Sequence, residues 1–269
     1  MIVGHRSCII RSIIFDRILS LALYDSLNMT PKFVFFDLDN TLLNHDSAEA
    51  GAHNDLYEST PELQSVSLQD WLKTYKTINH HLWLQYQEGV IDRHDLQKSR
   101  FKDSMIQLGV SAERCKEIGE AYMQFYRNHW SWVDGAKEAL VKVNQKYPIG
   151  IVTNGFLETQ QKKIEKMELG QFTDLFIITE EIGVMKPHSK VFDVATERAG
   201  VDRDSILYVG DSYSSDIIGG RNAGWTTAWF TAFVSEIEEG QTADFQFDKF
   251  PMLTNYLNGN KDLSESAKS

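Results

Sequence analysis

Carboxylates at the ends of apolar segments are the first feature of this sequence that suggests chemistry. The apolar run Phe33–Phe36 leads directly into Asp37 and Asp39, and residues 206–209 lead through a glycine into Asp211. A carboxylate in such a position can attack an electrophile, transfer a proton or bind a hard metal cation. Read singly, each of these aspartates is also consistent with an ordinary turn after a strand.

Two further polar segments contain residue types that bind oxyanions. Residues 149–152 are apolar and are followed by Thr153 and Asn154, and a later loop contains Lys186 before Pro187. A hydroxyl and an amide can donate hydrogen bonds to phosphoryl oxygens, and an ammonium group can offset their negative charge. Taken alone, the Thr-Asn-Gly segment is also a common turn, and a loop lysine is usually solvated.

The apolar runs are short and nearly continuous, which is typical of strands buried on both faces of a parallel sheet. Residues 175–178 and 226–229 have the same character. Helical patterns separate the runs, over residues 157–167, 190–199 and 214–223. The alternation predicts an α/β fold with a Rossmann-like, doubly wound parallel sheet as its core.

The polar residues that follow these strands are expected to meet. Ligands bind at the carboxyl edge of open parallel sheets, where Asp37, Thr153 and Asp211 would all lie. Neighbouring carboxylates repel one another, and burying them without compensation is costly. Mg²⁺, which takes oxygen ligands, would offset their charge, and Lys186 would supply a second positive charge. The predicted crevice could then hold a phosphate dianion.

Residues 46–130 differ from the rest of the chain. They have no strand-like alternation and contain three helical segments. Ser67 is the predicted N-cap of the first segment, which ends near Gly89; the second spans residues 93–108, and Ser111 is the predicted N-cap of the third. An all-helical segment inserted after the first strand of an α/β core indicates a cap domain.

Four regions are therefore expected. Residues 1–29 form an N-terminal extension, 30–45 and 131–258 the α/β core, 46–130 the helical cap, and 259–269 a C-terminal tail. The extension is apolar and carries arginines, but aspartates interrupt it, which does not fit a secretory or mitochondrial leader. An amphipathic N-terminal helix is the alternative for this segment.

Charge and cysteine content limit the class of protein. The 269-residue chain has a formal net charge of −11, which argues against binding to nucleic-acid polymers or anionic membranes. No apolar run reaches the length of a transmembrane helix. Cys8 and Cys115 form no CxxC or zinc-type pattern, so a reducing compartment, the cytoplasm, is expected. The oligomeric state is left open.

Together these segments resemble the four motifs of the haloacid dehalogenase-like hydrolase superfamily, in the same order. The motifs are an apolar strand leading into DxDxT, an apolar strand leading into threonine, a loop lysine, and GDxxxxD. The corresponding residues here are Asp37, Asp39, Thr41, Thr153, Lys186, Asp211 and Asp216. The resemblance covers nearly all of the chain after Met29, and four motifs in order are specific where any one alone is weak.

The resemblance implies a role for each of these residues. It implies that Asp37 is the nucleophile that forms an aspartyl-phosphate, and that Asp39 protonates the leaving oxygen and later deprotonates water. It implies that Thr153 and Asn154 bind the phosphoryl oxygens and that Lys186 stabilises developing charge. The implied Mg²⁺ ligands are Asp37, the backbone carbonyl of Asp39, Asp211 and, supporting them, Asp216.

The substrate class implied by the resemblance is a small phosphorylated metabolite. Asp-Leu-Asp-Asn-Thr-Leu, Thr-Asn-Gly and residues 85–91 resemble the pyrimidine 5′-nucleotidase branch, so a nucleoside monophosphate is preferred. N-acylneuraminate-9-phosphatases share Asp-Asn-Thr and Thr-Asn-Gly and are the alternative. A 2-haloacid dehalogenase would need neither Asp39 nor a metal, and a non-catalytic phosphate sensor would lack one of the motif residues.

Discrimination between substrates is expected to come from the cap, because the core motifs hold only the phosphoryl group. Tryptophan and tyrosine side chains of the cap offer flat faces for a base. The candidate hydrogen-bond donors to a ring or a sugar are Gln85, Gln87, Arg93 and Arg100.

Overall fold

The computed structural model describes residues 30–259 of the chain. The extension predicted for residues 1–29 and all but the first residue of the predicted tail lie outside the described residues.

A single sheet of six parallel strands forms the core, in the order β3-β2-β1-β4-β5-β6. The strands are β1 (Phe33–Phe36), β2 (Ile149–Thr153), β3 (Phe176–Ile178), β4 (Ile206–Gly210), β5 (Thr226–Phe230) and β6 (Phe245–Phe247). The five predicted strands are all present. Strand β6 was not predicted from the sequence; it is an edge strand of three residues whose middle residue, Gln246, is exposed.

Ten α-helices lie within residues 30–259. They are α1 (His45–Ser59), α2 (Leu68–Gln87), α3 (Arg93–Gln107), α4 (Cys115–Asn128), α5 (Ala136–Asn144), α6 (Leu157–Lys166), α7 (Thr179–Ile182), α8 (Ser189–Ala199), α9 (Ile218–Asn222) and α10 (Phe250–Leu257). The helix predicted over residues 214–223 instead begins as a π-helical turn, Tyr213–Ile217, which continues into α9.

The sheet is covered on both faces, which explains the continuous apolar strands. On one face, Phe35 packs in a buried cluster with Phe192 of α8 and with Trp225. On the other face, Phe36 belongs to a second cluster that includes Leu140 of α5. Because successive strand residues point to opposite faces, a strand buried on both sides must be apolar throughout. The predicted fold class, with its helical cap, is confirmed.

Helices α1–α4, called the cap helices below, lie between β1 and α5 in the chain. Ser67 caps α2 as predicted, its Oγ accepting a hydrogen bond from the Asp70 amide at 3.1 Å. Two expectations were wrong. The third predicted helix begins at Cys115 and has no side-chain cap from Ser111. Three helices were predicted where four are present, because α1 was missed; its buried apolar positions are mostly small alanines, which give a weak hydrophobic stripe.

The chain enters and leaves the cap helices at one place. Leu43 and Trp132 form an antiparallel bridge. Beside it, the amide of Asn44 donates to the carbonyl of Ser131 at 2.9 Å, and the amide of Val133 donates to the carbonyl of Leu42 at 2.8 Å. The exact residue boundaries of the core and the cap stay a prediction.

Among residues 30–259, no helix combines the length and apolar composition that crossing a membrane requires.

Candidate active site

Three aspartates meet at the carboxyl edge of the sheet. Asp37 follows β1, and its amide donates to the carbonyl of Val209 at the end of β4 at 2.8 Å. Asp211 follows β4, and Asp216 lies in the π-helical turn, where its Oδ2 accepts from the amide of Ser212 at 3.0 Å. Carboxylate oxygens of Asp37, Asp211 and Asp216 lie within 4.8 Å of one another. The structure thus brings the ends of the two central strands together as the sequence predicts.

Lys186 is buried among these carboxylates rather than solvated in a loop. Its side chain is 2% exposed, and its Nζ lies 2.6 Å from Asp37 Oδ1 and 2.7 Å from Asp216 Oδ1. The hydroxyl of Tyr208 lies 2.8 Å from the same Nζ. One ammonium group therefore binds two of the three acidic side chains and fixes their positions.

The electrostatics of this cluster are dominated by burial. Burial raises the pKa of Asp37 to about 7, although the charge of Lys186 opposes the shift, and Asp216 adds to it. Burial, together with Asp37 and Asp216, also raises the pKa of Asp211 well above its ordinary value. For Lys186, burial lowers the pKa, but the attraction of Asp216 and Asp37 outweighs it, so the net pKa is raised. Full ionisation of the three carboxyl groups would leave more negative charge than one lysine offsets.

This donor set fits a hard divalent cation. Three carboxylates share one buried site with a single ammonium group, and carboxylate oxygens are the ligands that Mg²⁺ prefers. A cation placed among them would relieve the repulsion that raises the pKa values of Asp37 and Asp211.

Asp39 faces a different environment from Asp37, two residues before it. Both of its carboxylate oxygens accept from Lys163 Nζ, at 2.7 and 2.8 Å, and Gln160 Nε2 donates to Oδ2 at 3.1 Å. Burial raises the pKa of Asp39, but the positive charges of Lys163 and His45 lower it by more than burial raises it. The net shift of the pKa is therefore downward. The Asp39 side chain is therefore held as a carboxylate, turned toward the cap helices.

No sequence pattern singled out Lys163 and Gln160 as site residues. They lie three residues apart on α6, so they share one face, and both side chains are buried. The segment 157–166 reads as a polar surface helix, because glutamine, lysine and glutamate dominate it. A long polar side chain is buried only where it finds a partner, and that partner is distant in the sequence.

The side chains of Thr153 and Asn154 form hydrogen bonds with other residues of the protein. Thr153 Oγ1 accepts from Gln160 Nε2 at 2.6 Å. Asn154 bonds twice to the backbone of Lys186, its Oδ1 accepting from the amide at 2.9 Å and its Nδ2 donating to the carbonyl at 3.2 Å. Asn154 therefore positions the Lys186 loop, and the phosphate-binding roles of Thr153 and Asn154 stay predictions.

A cavity of about 270 Å³ lies between Asp39 and the cap helices. Its walls come from α1, α2, α3, α4, α6 and the loop before α6. They include Trp83 and Phe156, whose rings stack with centroids 5.2 Å apart. Arg100 lines the cavity, whereas Gln85, Gln87 and Arg93 are not among its lining residues. Of the four hydrogen-bond donors predicted from the sequence, one, Arg100, lines this cavity.

Residues 34–230 match the family model of the haloacid dehalogenase-like hydrolases, which spans the sheet from β1 to β5 and all the residues of the site described above. This chain belongs to the haloacid dehalogenase-like hydrolase family. It is therefore an enzyme of the hydrolase class, as the motifs predicted.

Two relatives within the family are similar over most of their length. The pyrimidine 5′-nucleotidase YjjG of Escherichia coli K12 is 37% identical over 209 residues, which cover 77% of this chain and 89% of that protein. The HAD-hydrolase YfnB of Bacillus subtilis is 32% identical over 198 residues, 73% of this chain and 82% of its own. A crystal structure of YfnB bound to magnesium superposes with a TM-score of 0.73, covering 85% of this chain and 99% of that one.

A third relative represents the alternative substrate class. The mouse N-acylneuraminate-9-phosphatase is 27% identical over 209 residues, which cover 73% of this chain and 81% of that protein.

Proposed function

We propose that this hydrolase cleaves phosphomonoesters with Asp37 as the nucleophile and Asp39 as the proton-transfer group. The observation that carries the proposal is the buried cluster at the carboxyl edge of the sheet, in which Lys186 Nζ lies 2.6 Å from Asp37 Oδ1 beside Asp211 and Asp216. A nucleophilic carboxylate needs positive charge nearby before it can approach an anionic ester.

In the first step, a carboxylate oxygen of Asp37 attacks phosphorus and the bond from phosphorus to the ester oxygen breaks. Asp39, protonated from solvent once it has left Lys163 and Gln160, donates that proton to the ester oxygen, so an alcohol leaves and an aspartyl-phosphate remains. In the second step, water attacks phosphorus, Asp39 takes a proton from it, and the bond to Asp37 breaks to release phosphate.

Asp39 needs to change partners during this cycle. Its carboxylate is bound by Lys163 and Gln160, so it has to release them to transfer a proton to the leaving oxygen. Lys186 remains bound to Asp216 while Asp37 carries the phosphoryl group, and Thr153 and the Asn154 loop border the same crevice.

The proposed Mg²⁺ ligands are Asp37, the Asp39 backbone carbonyl and Asp211, with Asp216 in support. When bound, the ion supplies positive charge that offsets the carboxylates and the phosphoryl oxygens. Asp216 would act mainly by orienting Lys186 and the backbone around Ser212, since it accepts hydrogen bonds from both.

The proposed substrate is a pyrimidine nucleoside 5′-monophosphate. This proposal is supported by the pyrimidine 5′-nucleotidase relative, which is 37% identical to this chain over 89% of its own length. It is also supported by the cavity next to Asp39, which has the stacked rings of Trp83 and Phe156 in its wall, since a flat base packs well on such a surface.

N-acylneuraminate 9-phosphate is the second candidate. The relative with that activity supports it at lower identity, and Arg100 in the cavity wall could pair with the carboxylate of such a sugar. A 2-haloacid dehalogenase activity fits less well, because it would leave the second aspartate and the excess of carboxylates without a purpose.

Steady-state kinetics on the purified protein tests these proposals. Turnover of 4-nitrophenyl phosphate should disappear after exhaustive chelation and return with Mg²⁺; full activity without metal would overturn the metal assignment. Pyrimidine 5′-monophosphates, deoxy forms included, should have higher kcat/KM than sugar phosphates. If N-acylneuraminate 9-phosphate is turned over tenfold faster than any nucleotide, the second candidate replaces the first.

A further inference from the structure

Glu49 of α1 is a buried acidic side chain that the proposed reaction does not use. The residue is 7% exposed and lines the cavity between Asp39 and the cap helices. Within residues 30–259, no hydrogen bond or ion pair joins its carboxylate to another side chain or to the backbone. A carboxylate that lines a cavity and has no donor from the protein takes its hydrogen bonds from whatever occupies that cavity, so Glu49 is placed to bind a ligand there.

The position of Glu49 along α1 places it on the leaving-group side of the cavity. His45 begins the helix beside Asp39 and bonds to Tyr126 of α4 at 2.6 Å. Glu49 is one turn further on the same helix face, about 6 Å along the axis. His53, one more turn along, packs on Tyr122 of α4. Glu49 therefore faces the cavity beyond the reacting carboxylates.

Two other polar groups in the cavity wall have unsatisfied atoms. Asn79 Oδ1 and Arg100 Nε are buried and have no hydrogen-bond partner among the described residues. Arg100 forms no ion pair with Glu49 in the described part of the chain, although both line the cavity. The wall thus presents separate acceptors and a donor, an arrangement that suits a neutral ligand with both an N–H group and a carbonyl.

We propose that Glu49 determines substrate specificity by accepting a hydrogen bond from a ring N–H of the base, while Arg100 donates to a neighbouring ring carbonyl. This inference rests on the proposed nucleotidase function. The base edge of uracil or thymine offers both groups side by side, and its faces match the aromatic wall formed by Trp83 and Phe156. A carboxylate can only accept hydrogen bonds. Glu49 would therefore disfavour a leaving group whose atoms facing it lack a donor or carry negative charge.

The experiment compares uridine 5′-monophosphate with N3-methyluridine 5′-monophosphate, which lacks the ring N–H, and with 4-nitrophenyl phosphate. The wild-type protein should prefer uridine 5′-monophosphate over its N-methyl form by at least tenfold in kcat/KM. Glu49→Ala should lower kcat/KM for uridine 5′-monophosphate at least tenfold more than for 4-nitrophenyl phosphate, and should remove the preference between the two nucleotides.

Two further variants make the test specific. Glu49→Gln keeps the size and one acceptor oxygen, so it should retain part of the preference for the N–H form, and it serves if the alanine variant does not fold. Glu58→Ala, at an exposed glutamate of the same helix, is the matched control and should behave as wild type with all three compounds.

The outcomes separate this inference from the function on which it rests. Turnover of uridine 5′-monophosphate with an unchanged N–H preference in Glu49→Ala overturns the role of Glu49 and leaves the nucleotidase proposal intact. An equal loss with all three compounds also overturns it, because Glu49 would then serve folding or catalysis. Turnover of 4-nitrophenyl phosphate but of no nucleoside monophosphate overturns both proposals.

Discussion

Asp37 and Asp39 are two residues apart, and the fold gives them opposite electrostatic environments. Asp37 lies in a carboxylate cluster where burial raises its pKa to about 7, whereas Lys163 and His45 lower the pKa of Asp39 against the effect of burial. Two identical residue types can therefore take two roles in the proposed mechanism.

Replacing these aspartates should separate catalysis from stability. Asp37→Asn should abolish turnover and the phosphorylated enzyme, but should not lower the melting temperature in chelator, because it removes charge from an overcrowded cluster while Asp216 still pairs with Lys186. Asp39→Asn should reduce kcat by about 10²-fold or more. It should also lower the melting temperature, since Lys163, 4% exposed, loses its carboxylate.

Activity assays, phosphoenzyme trapping and thermal melts check both variants. Wild-type turnover in either one would contradict its assigned role, and equal melting temperatures for Asp39→Asn and wild type would contradict the stabilising pair with Lys163.

Asp216 fills the space that a side chain at position 210 would need, so only glycine fits there. A Cβ atom on Gly210 would lie 2.6 Å from Asp216 Cγ, closer than non-bonded carbons approach. Gly210→Ala should displace Asp216 from Lys186 and lower kcat by about tenfold or more, as small misplacements at a reacting centre do.

Gly170→Ala is the matched control, because no atom lies within 4 Å of the Cβ it would add. Steady-state kinetics on both variants gives the answer, and equal activities would show that the close approach at Gly210 is not needed for catalysis.

At the scale of elements, the site depends on contacts between the cap helices and α6 and α7. Arg93 at the start of α3 pairs with Glu158 of α6 at 3.1 Å and with Glu180 of α7 at 3.4 Å. The guanidinium carbon also lies 4.6 Å from the ring centre of Phe156, which lines the cavity. These contacts join the cap helices to the core at the cavity wall.

Arg93→Ala should weaken the closed arrangement of the cavity. Partly exposed pairs of this kind contribute about 0.5 to 1 kcal/mol, so KM for the preferred nucleotide should rise about two- to fivefold with little change in kcat. Arg114→Ala is the control, because Arg114 pairs with Glu62 within the cap region at 2.8 Å. A rise in KM that is the same in both variants would exclude a specific role for the Arg93 contacts.

At the scale of the whole molecule, the cap helices have their own buried core. His53, Trp71, Tyr75, Phe101 and Tyr122 form a closely packed aromatic group in which Trp71 Nε1 donates to His53 Nδ1 at 3.2 Å. Burial, with smaller effects from Arg100 and Lys76, lowers the pKa of His53 from 6.5 to about 3. The imidazole is therefore neutral in the folded protein at physiological pH.

This buried histidine should make the protein sensitive to acid. Below pH 6.5 the unfolded chain binds a proton at this position and the folded chain does not, so stability falls as the pH is lowered toward 3. The loss from His53 amounts to about 2 kcal/mol between pH 6.5 and pH 5. Denaturant unfolding at several pH values should show a smaller slope of stability with pH for His53→Phe than for wild type, whatever the absolute stability of the variant.

His81→Phe on α2 provides the comparison, because the His81 ring contacts water in the folded chain as well as in the unfolded one. An unchanged pH slope in His53→Phe would contradict the assigned burial cost.

The central strands, the polar residues that end them and Ser67 as the cap of α2 were all predictable. Each depends on a local pattern: a run of apolar residues, a polar residue directly after it, or a capping residue before a helical stripe. The edge strand β6 and helix α1 escaped prediction because their local signals are weak. Three residues are too few for a clear alternation, and small alanines give little contrast with the polar positions around them.

By itself, the sequence determined the α/β architecture with its helical cap. Motif spacing along the chain also singled out Asp37, Asp39, Lys186, Asp211 and Asp216 as candidate site residues. Only the tertiary structure decided which charges meet. Asp39 and Lys163 are 124 positions apart, and Glu49 faces the cavity from a helix with little periodicity. Burial and long-range packing give these side chains their partners and their pKa shifts, and no local pattern encodes such distant neighbours.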